Sequence, residues 1–168
     1  MANKVYRAIE TAIRFKDTDA TYTLILNNLA ATTGGRISDR ADRGAGSQPR
    51  RWRWKAVVQF ETAPVVGECV EIWLCQSDGT NEDGNVGAVD AALTAAKAAN
   101  LQLLGCVVVE TTDAYDGSTG AYENIASGWC EIDERYFSVG VLNKTADNLA
   151  AHDDISWVEF TPVPDEIQ

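Results

Sequence analysis

The chain has a single histidine, His152, and it stands beside two acids in Ala150-Ala151-His152-Asp153-Asp154. An imidazole next to a carboxylate is the smallest general acid–base unit, because its charge changes near neutral pH. The ordinary reading of the tract is a solvated polar loop. That reading takes precedence because the sequence has no Gly-x-Ser-x-Gly, no Walker loop and no His-Glu-x-x-His. Adjacent carboxylates recur at Asp133/Glu134, Asp153/Asp154 and Asp165/Glu166. Neighbours on a strand point to opposite faces, whereas a glycosidase needs two acids converging across a cleft. A hydrolytic centre here would have to unite His152 with acids such as Asp154 and Glu131. The expectation is a protein without catalytic residues.

Two further groups could hold a metal. Ser77-Asp78-Gly79-Thr80-Asn81-Glu82-Asp83-Gly84-Asn85 is rich in the oxygen donors that calcium takes. Aligning Gly84 on the invariant glycine of an EF-hand puts Gly79 where the first acid belongs, so a solvated acidic loop is expected over 77–87. The four cysteines, Cys69, Cys75, Cys106 and Cys130, show no CxxC spacing and no histidine close in sequence. Cys69 and Cys75 lie on one expected strand about 20 Å apart, too far to bridge each other. All four read as buried free thiols, with no metal and no cofactor.

The most informative chemistry is basic. Arg36, Arg40, Arg43, Arg50, Arg51 and Arg53 fall within eighteen residues, interleaved with Asp39 and Asp42. A guanidinium makes planar, bidentate contacts to carboxylates and is favoured at protein interfaces, so these six are the candidate docking residues for an acidic partner. The same alternation also has an ordinary version, a surface laced with ion pairs worth ~0–1 kcal/mol each. Residues 1–55 carry a balance of +6 and residues 56–168 one of −17, within a net charge of −11. So uneven a distribution suggests one basic and one acidic surface. Phosphate repels an acidic chain, and nucleic acid is not an expected partner.

The elements that carry these groups read as strands. Arg51-Trp52-Arg53-Trp54-Lys55-Ala56-Val57-Val58-Gln59-Phe60-Glu61 alternates, with Trp, Trp, Ala, Val and Phe on even positions. That is a half-buried strand whose tryptophans point into the core and whose arginines point out. A Thr62–Gly67 turn, with Pro64 and Gly67, then leads into Glu68–Cys75, and the two strands are expected to pair as an antiparallel hairpin. Tyr22–Asn27, Gly128–Asp133, Tyr136–Leu142 and Ile155–Thr161 are further expected strands. Leu101–Glu110 reads as one covered on both faces. Asp90–Asn100 is alanine-rich and predicts a short helix with Asp90 at its N-terminus. Residues 32–49, 77–87 and 111–120 read as loops. About seven or eight strands so punctuated imply an all-β antiparallel sandwich or jelly roll with one short helix in an inserted loop.

The length of 168 residues fits one domain over 1–168. Within it are an N-terminal arm or strand over 1–20, the long Arg-rich loop over 32–49 and a tail over 162–168. No run of about 18 apolar residues spans a membrane, and the start lacks a signal-peptide core, so synthesis and folding in a cytoplasm are expected.

The order of features resembles a known family. Gly34-Gly35-Arg36-Ile37-Ser38-Asp39 leads into a strand, and a Thr-Ala-Pro-x-x-Gly-x-x-Val-x-Ile stretch covers Thr62 to Ile72. Asp90–Ala92 precedes an apolar Leu-x-x-Leu-Gly strand from Leu101 to Gly105, and Phe-x-Val-x-Val-x-Asn runs from Phe137 to Asn143. Over residues 20–162 this is similar to the small jelly-roll proteins of tailed bacteriophages that decorate, or cement, the capsid shell. The resemblance implies a non-enzymatic virion protein on the capsid exterior that binds the major capsid protein, as a homo-oligomer, often a trimer. The alternative is a carbohydrate-binding or host-recognition module of a phage tail or fibre. A solvent-facing row among Trp73, Trp129 and Trp157 would favour that alternative; their burial would favour cement.

Overall fold

The computed structural model describes residues 11–44, 49–117 and 123–163. The first half of the expected N-terminal arm, part of the Arg-rich loop and the last residues of the tail lie outside these. The described chain forms two antiparallel sheets packed face to face, an all-β sandwich. The four-stranded sheet has the order β1 (Ile13–Phe15), β10 (Trp157–Pro162), β4 (Arg51–Val58), β8 (Asn124–Glu131). The second has the order β6 (Ala91–Ala92), β2 (Gly35–Ile37), β9 (Tyr136–Asn143), β5 (Cys69–Ser77), β7 (Gln102–Val108), with β3 (Ala41–Asp42) also on β9. The chain passes repeatedly from one sheet to the other, the winding of a jelly roll.

The alternation in β4 positions its side chains as expected: Trp52, Trp54, Ala56 and Val58 are buried. Trp52, Phe15, Phe137 and Phe160 form an aromatic cluster between the sheets, with Phe137 and Phe160 5.2 Å and Trp52 and Phe137 5.5 Å apart between ring centres. Each large apolar side chain so buried contributes roughly 1.5–3 kcal/mol.

The expected hairpin of β4 with β5 does not form. Their inward faces oppose each other across the core, and both edges of β5 are taken by β7 and β9. Alternation dictates which face of a strand is buried, not which strand lies beside it. Tyr22–Asn27 is not a strand either, because carboxylates take its backbone donors. Asp17 accepts the amides of Leu26 and Asn27, Asp39 that of Thr23 and Asp90 that of Ile25. β7 is an edge strand, with Leu103 and Val108 each 48% exposed, and is not covered on both faces.

The expected loop over 32–49 contains β2 and β3, both tied to β9. The helix is α1 (Ala95–Ala98), capped by Thr94, whose hydroxyl accepts the Lys97 amide. Asp90 is not its cap, because the intervening Ala91–Ala92 pairs with β2 as β6. This insertion covers the outside of the second sheet. Val86, Leu93, Ala98 and Leu101 pack on Ile37, Cys75 and Leu142, making a second apolar layer. Among the described residues no helix is long and apolar enough to cross a membrane.

Candidate functional site

The outer positions of β4 are Arg51, Arg53 and Lys55, and the ladder decides what stands next to each. Arg51 is opposite Glu131, Arg53 lies between Trp129 and Thr161, and Lys55 lies between Ser127 and Glu159. One strand further out, Arg14 faces Glu159 and pairs with it at 2.7 Å. The outer face of the four-stranded sheet therefore carries four cations, Arg14, Arg51, Arg53 and Lys55, with Glu131 and Glu159 set among them.

Two tryptophans share this face. Trp157 is half-buried beneath Arg14, whose guanidinium sits 4.2 Å from the ring centre, and Lys55 approaches the same ring at 5.3 Å. Trp129 is 61% exposed, with Arg51 5.6 Å from its ring centre. Ile125, on the same side of β8, is 44% exposed. Cation–π contacts at exposed sites are worth about 0.5–1 kcal/mol each, enough to bias the rotamers of the arginines without taking them from solvent. Arg53 has no ion-pair partner among the described residues. An indole flanked by guanidinium groups is the side-chain set that dominates protein interfaces.

The six candidate arginines are not brought together. Arg36 grips Asp90 with two nitrogens, and this pair is part-buried. The carboxylate of Asp90 beside it raises the guanidinium's pKa. Arg40 donates to Glu82 at 2.8 Å and to the Gly79 carbonyl at 3.1 Å, with Tyr136 beneath it. Arg43 donates to the carbonyls of Pro49 and Asp133, and its burial lowers its pKa. Arg50 pairs with Asp133 at 2.5 Å at the surface. For Arg36 and Arg40 the ion pairs fasten loops, as the ordinary reading of the Arg–Asp alternation has it. Of the six, only Arg51 and Arg53 lie on the outer face of the four-stranded sheet.

Arg14, Lys55 and Trp129 complete the face; from sequence, Arg14 and Lys55 have no docking role and Trp129 is marked only as a test of glycan binding. Reading Gly128–Asp133 as the strand, where β8 spans Asn124–Glu131, cuts off the outward series Ile125, Ser127, Trp129, Glu131 that marks it.

The acid–base candidates are spread apart. The His152 ring is tilted against Tyr115, 4.6 Å between ring centres, and the Tyr115 amide donates to the Phe60 carbonyl just past the end of β4. Glu131 lies opposite Arg51 at the far end of β4, roughly 30 Å along the strand from Phe60. Asp154 is bonded to Lys16 and Thr18. In the acidic loop, Glu82 holds Arg40, Asp83 accepts the Gln76 amide and Asp78 accepts those of Thr80 and Asn81. Among the described residues no three His, Cys, Asp or Glu side chains are grouped to hold a metal ion. Cys75 and Cys130 are buried as expected, but Cys69 and Cys106 are only half-buried, on neighbouring strands. An open groove of about 680 Å³ lies between residues 25–36 and the start of α1; its one long cation besides Arg36 is Lys144.

The sequence matches no known protein-family model and no curated protein.

Proposed function

We propose that this protein is a non-enzymatic virion component that binds the outside of an assembled phage capsid and stabilises it. The observation that carries the reading is the outer face of the four-stranded sheet, where Arg51, Arg53 and Lys55 are gathered on an otherwise acidic molecule. A binder of this kind needs no chemistry. By engaging only the assembled lattice it shifts the equilibrium towards assembly, by an amount set by its concentration over its Kd. The partner in this reading is the major capsid protein, the location the virion exterior, and the binding unit a homo-oligomer, a trimer at local threefold positions. The jelly-roll winding and the order of sequence features support it.

The test is co-sedimentation of the full chain with capsids that lack it, across a salt series. Saturable binding that weakens with salt is the expected result, and absence of binding at every salt concentration sinks the proposal.

The exposure of Trp129 favours a second reading, a carbohydrate-recognition module of a tail or fibre. One indole is open and Trp157 is roofed by Arg14 and Lys55, so the face lacks the aromatic row that stacks on successive sugars. A glycan array separates the two readings.

A further inference from the structure

We infer that the docking surface is the outer face of the four-stranded sheet, centred on Trp129 and Arg53, and that its occupant is an acidic protein surface. This rests on the capsid-binding reading and names the surface and the partner chemistry for it. The arginines at 36, 40 and 43 take no part, because they are held by Asp90, by Glu82 and by backbone carbonyls away from this face.

Three observations identify the occupant. First, Arg51, Arg53 and Lys55 stand beside the Arg14–Glu159 pair on one face of a molecule whose residues 56–168 carry a balance of −17, so a complementary partner presents carboxylates here. Second, Glu131 and Glu159 sit within that face, opposite Arg51 and Lys55 in the ladder. A uniform polyanion such as a nucleic-acid backbone would meet both, while a protein surface of mixed sign can place a donor against each. Third, the open indole of Trp129 stands next to Arg53 on the edge strand β8, where it can enter an apolar recess on the partner while the guanidinium meets a carboxylate. Tryptophan and arginine side by side form the centre of many protein interfaces, and the surrounding polar positions, Ser127 and Thr161, form the rim.

All of these side chains point outward, so replacing them leaves the core intact. The experiment compares the full chain with Trp129→Ala, Arg53→Glu and the control Lys144→Glu. Lys144 is exposed beyond the end of β9, in the other sheet, and its reversal changes net charge as much as that of Arg53. Binding is measured to capsids lacking the protein and, separately, to poly-L-glutamate and to a DNA duplex, with melting temperature recorded for each variant. Trp129→Ala and Arg53→Glu are expected to weaken capsid binding tenfold or more, with Lys144→Glu within twofold and all melting temperatures near the parent. If the parent binds capsids and all three variants bind equally, this face is idle and the inference fails, while the capsid reading stands. If the parent binds no capsid, the capsid reading fails. The acid-docking face then stands only if poly-L-glutamate binds the parent at least tenfold better than Arg53→Glu. Tighter binding to DNA than to poly-L-glutamate overturns the choice of partner. So does dissociation of the protein's own oligomer by the two face variants with no effect on capsid binding, which would make a second copy the occupant.

Discussion

Gly128 stands directly across from Trp54 in the β4–β8 ladder, and the indole fills the space that a side chain at 128 would need. A Cβ there would lie 2.7 Å from Trp54 Nε1, and one on Gly105, on β7 of the opposite sheet, 3.0 Å from Cζ2. The ring is thus bounded by two bare backbones, one from each sheet. Gly128→Ala is expected to destabilise the fold by about 1–3 kcal/mol, the cost of overpacking a core that cannot give way. Urea denaturation reads this as a lower midpoint with an unchanged slope. An unchanged midpoint would mean that the indole has room to shift.

The Arg36–Asp90 pair joins three separate segments. Asp90 also accepts the Ile25 amide and its own amide donates to Asp39, so β2, residues 22–27 and the inserted loop meet at one carboxylate. Asp90→Ala leaves the half-buried guanidinium and an amide without partners, and is expected to cost about 3 kcal/mol. A calorimetric melt of the variant, several degrees below the parent, is the expected outcome.

Asp17 provides a pH dependence of known sign. Partial burial, with Asp153 and Asp154 nearby, pushes its carboxyl up to about 6 from an ordinary 3.8, against the two amides that it accepts from Leu26 and Asn27. The folded state therefore prefers the protonated form. The stabilisation is fully present below pH 3.8 and is lost as pH rises through about 6. Because the group is half-exposed, solvent screening reduces the effect to the order of 1 kcal/mol. The difference in stability between the parent and Asp17→Asn, followed from pH 7 to pH 4.5, is expected to change by that amount. A pH-independent difference would remove Asp17 as the cause.

The thiols divide into two classes. Burial pushes Cys75 and Cys130 up to about 12, so neither offers a thiolate at pH 8. Cys69 and Cys106 are half-buried on adjoining strands, and burial together with the neighbouring Cys69 raises Cys106 as well. Titration of the native protein with a disulfide reagent is expected to label Cys69 and Cys106 slowly, and Cys75 and Cys130 only after unfolding. Rapid labelling of Cys75 or Cys130 would contradict the packing of the second apolar layer or of the main core, respectively.

What the sequence made legible follows the reach of its signals. Period two over Arg51–Glu61 predicts the buried side of β4, including Trp52 and Trp54, since that periodicity is a property of one strand. Fold class follows from several such strands separated by turns. Strand neighbours do not, and so β4 and β5 read as a hairpin when they face each other across the core. Tyr22–Asn27 has strand composition, but Asp17, Asp39 and Asp90 arrive from outside the segment and satisfy its amides. The arginines read as one cluster because they are close in sequence; β2 and β3 belong to one sheet and β4 to the other, which parts Arg51 and Arg53 from Arg36, Arg40 and Arg43. Trp129 joins Arg53 across a gap of 76 positions, and no local pattern reports that proximity.

The pairing of β1 with β10 also governs when this chain can fold. β1 spans Ile13–Phe15 and takes its place only on a strand that ends at Pro162, while β2 waits for β9. Loop closure over such separations must precede any gain from packing, which makes folding slow. During synthesis one flank of the tryptophan-bearing β4 stays bare until β10 arrives. The exposed edge invites pairing with other nascent chains. Shortening the chain before Trp157 would therefore remove much more than a terminal strand: it would leave β1 without a neighbour and β4 with a row of unpaired backbone amides and carbonyls.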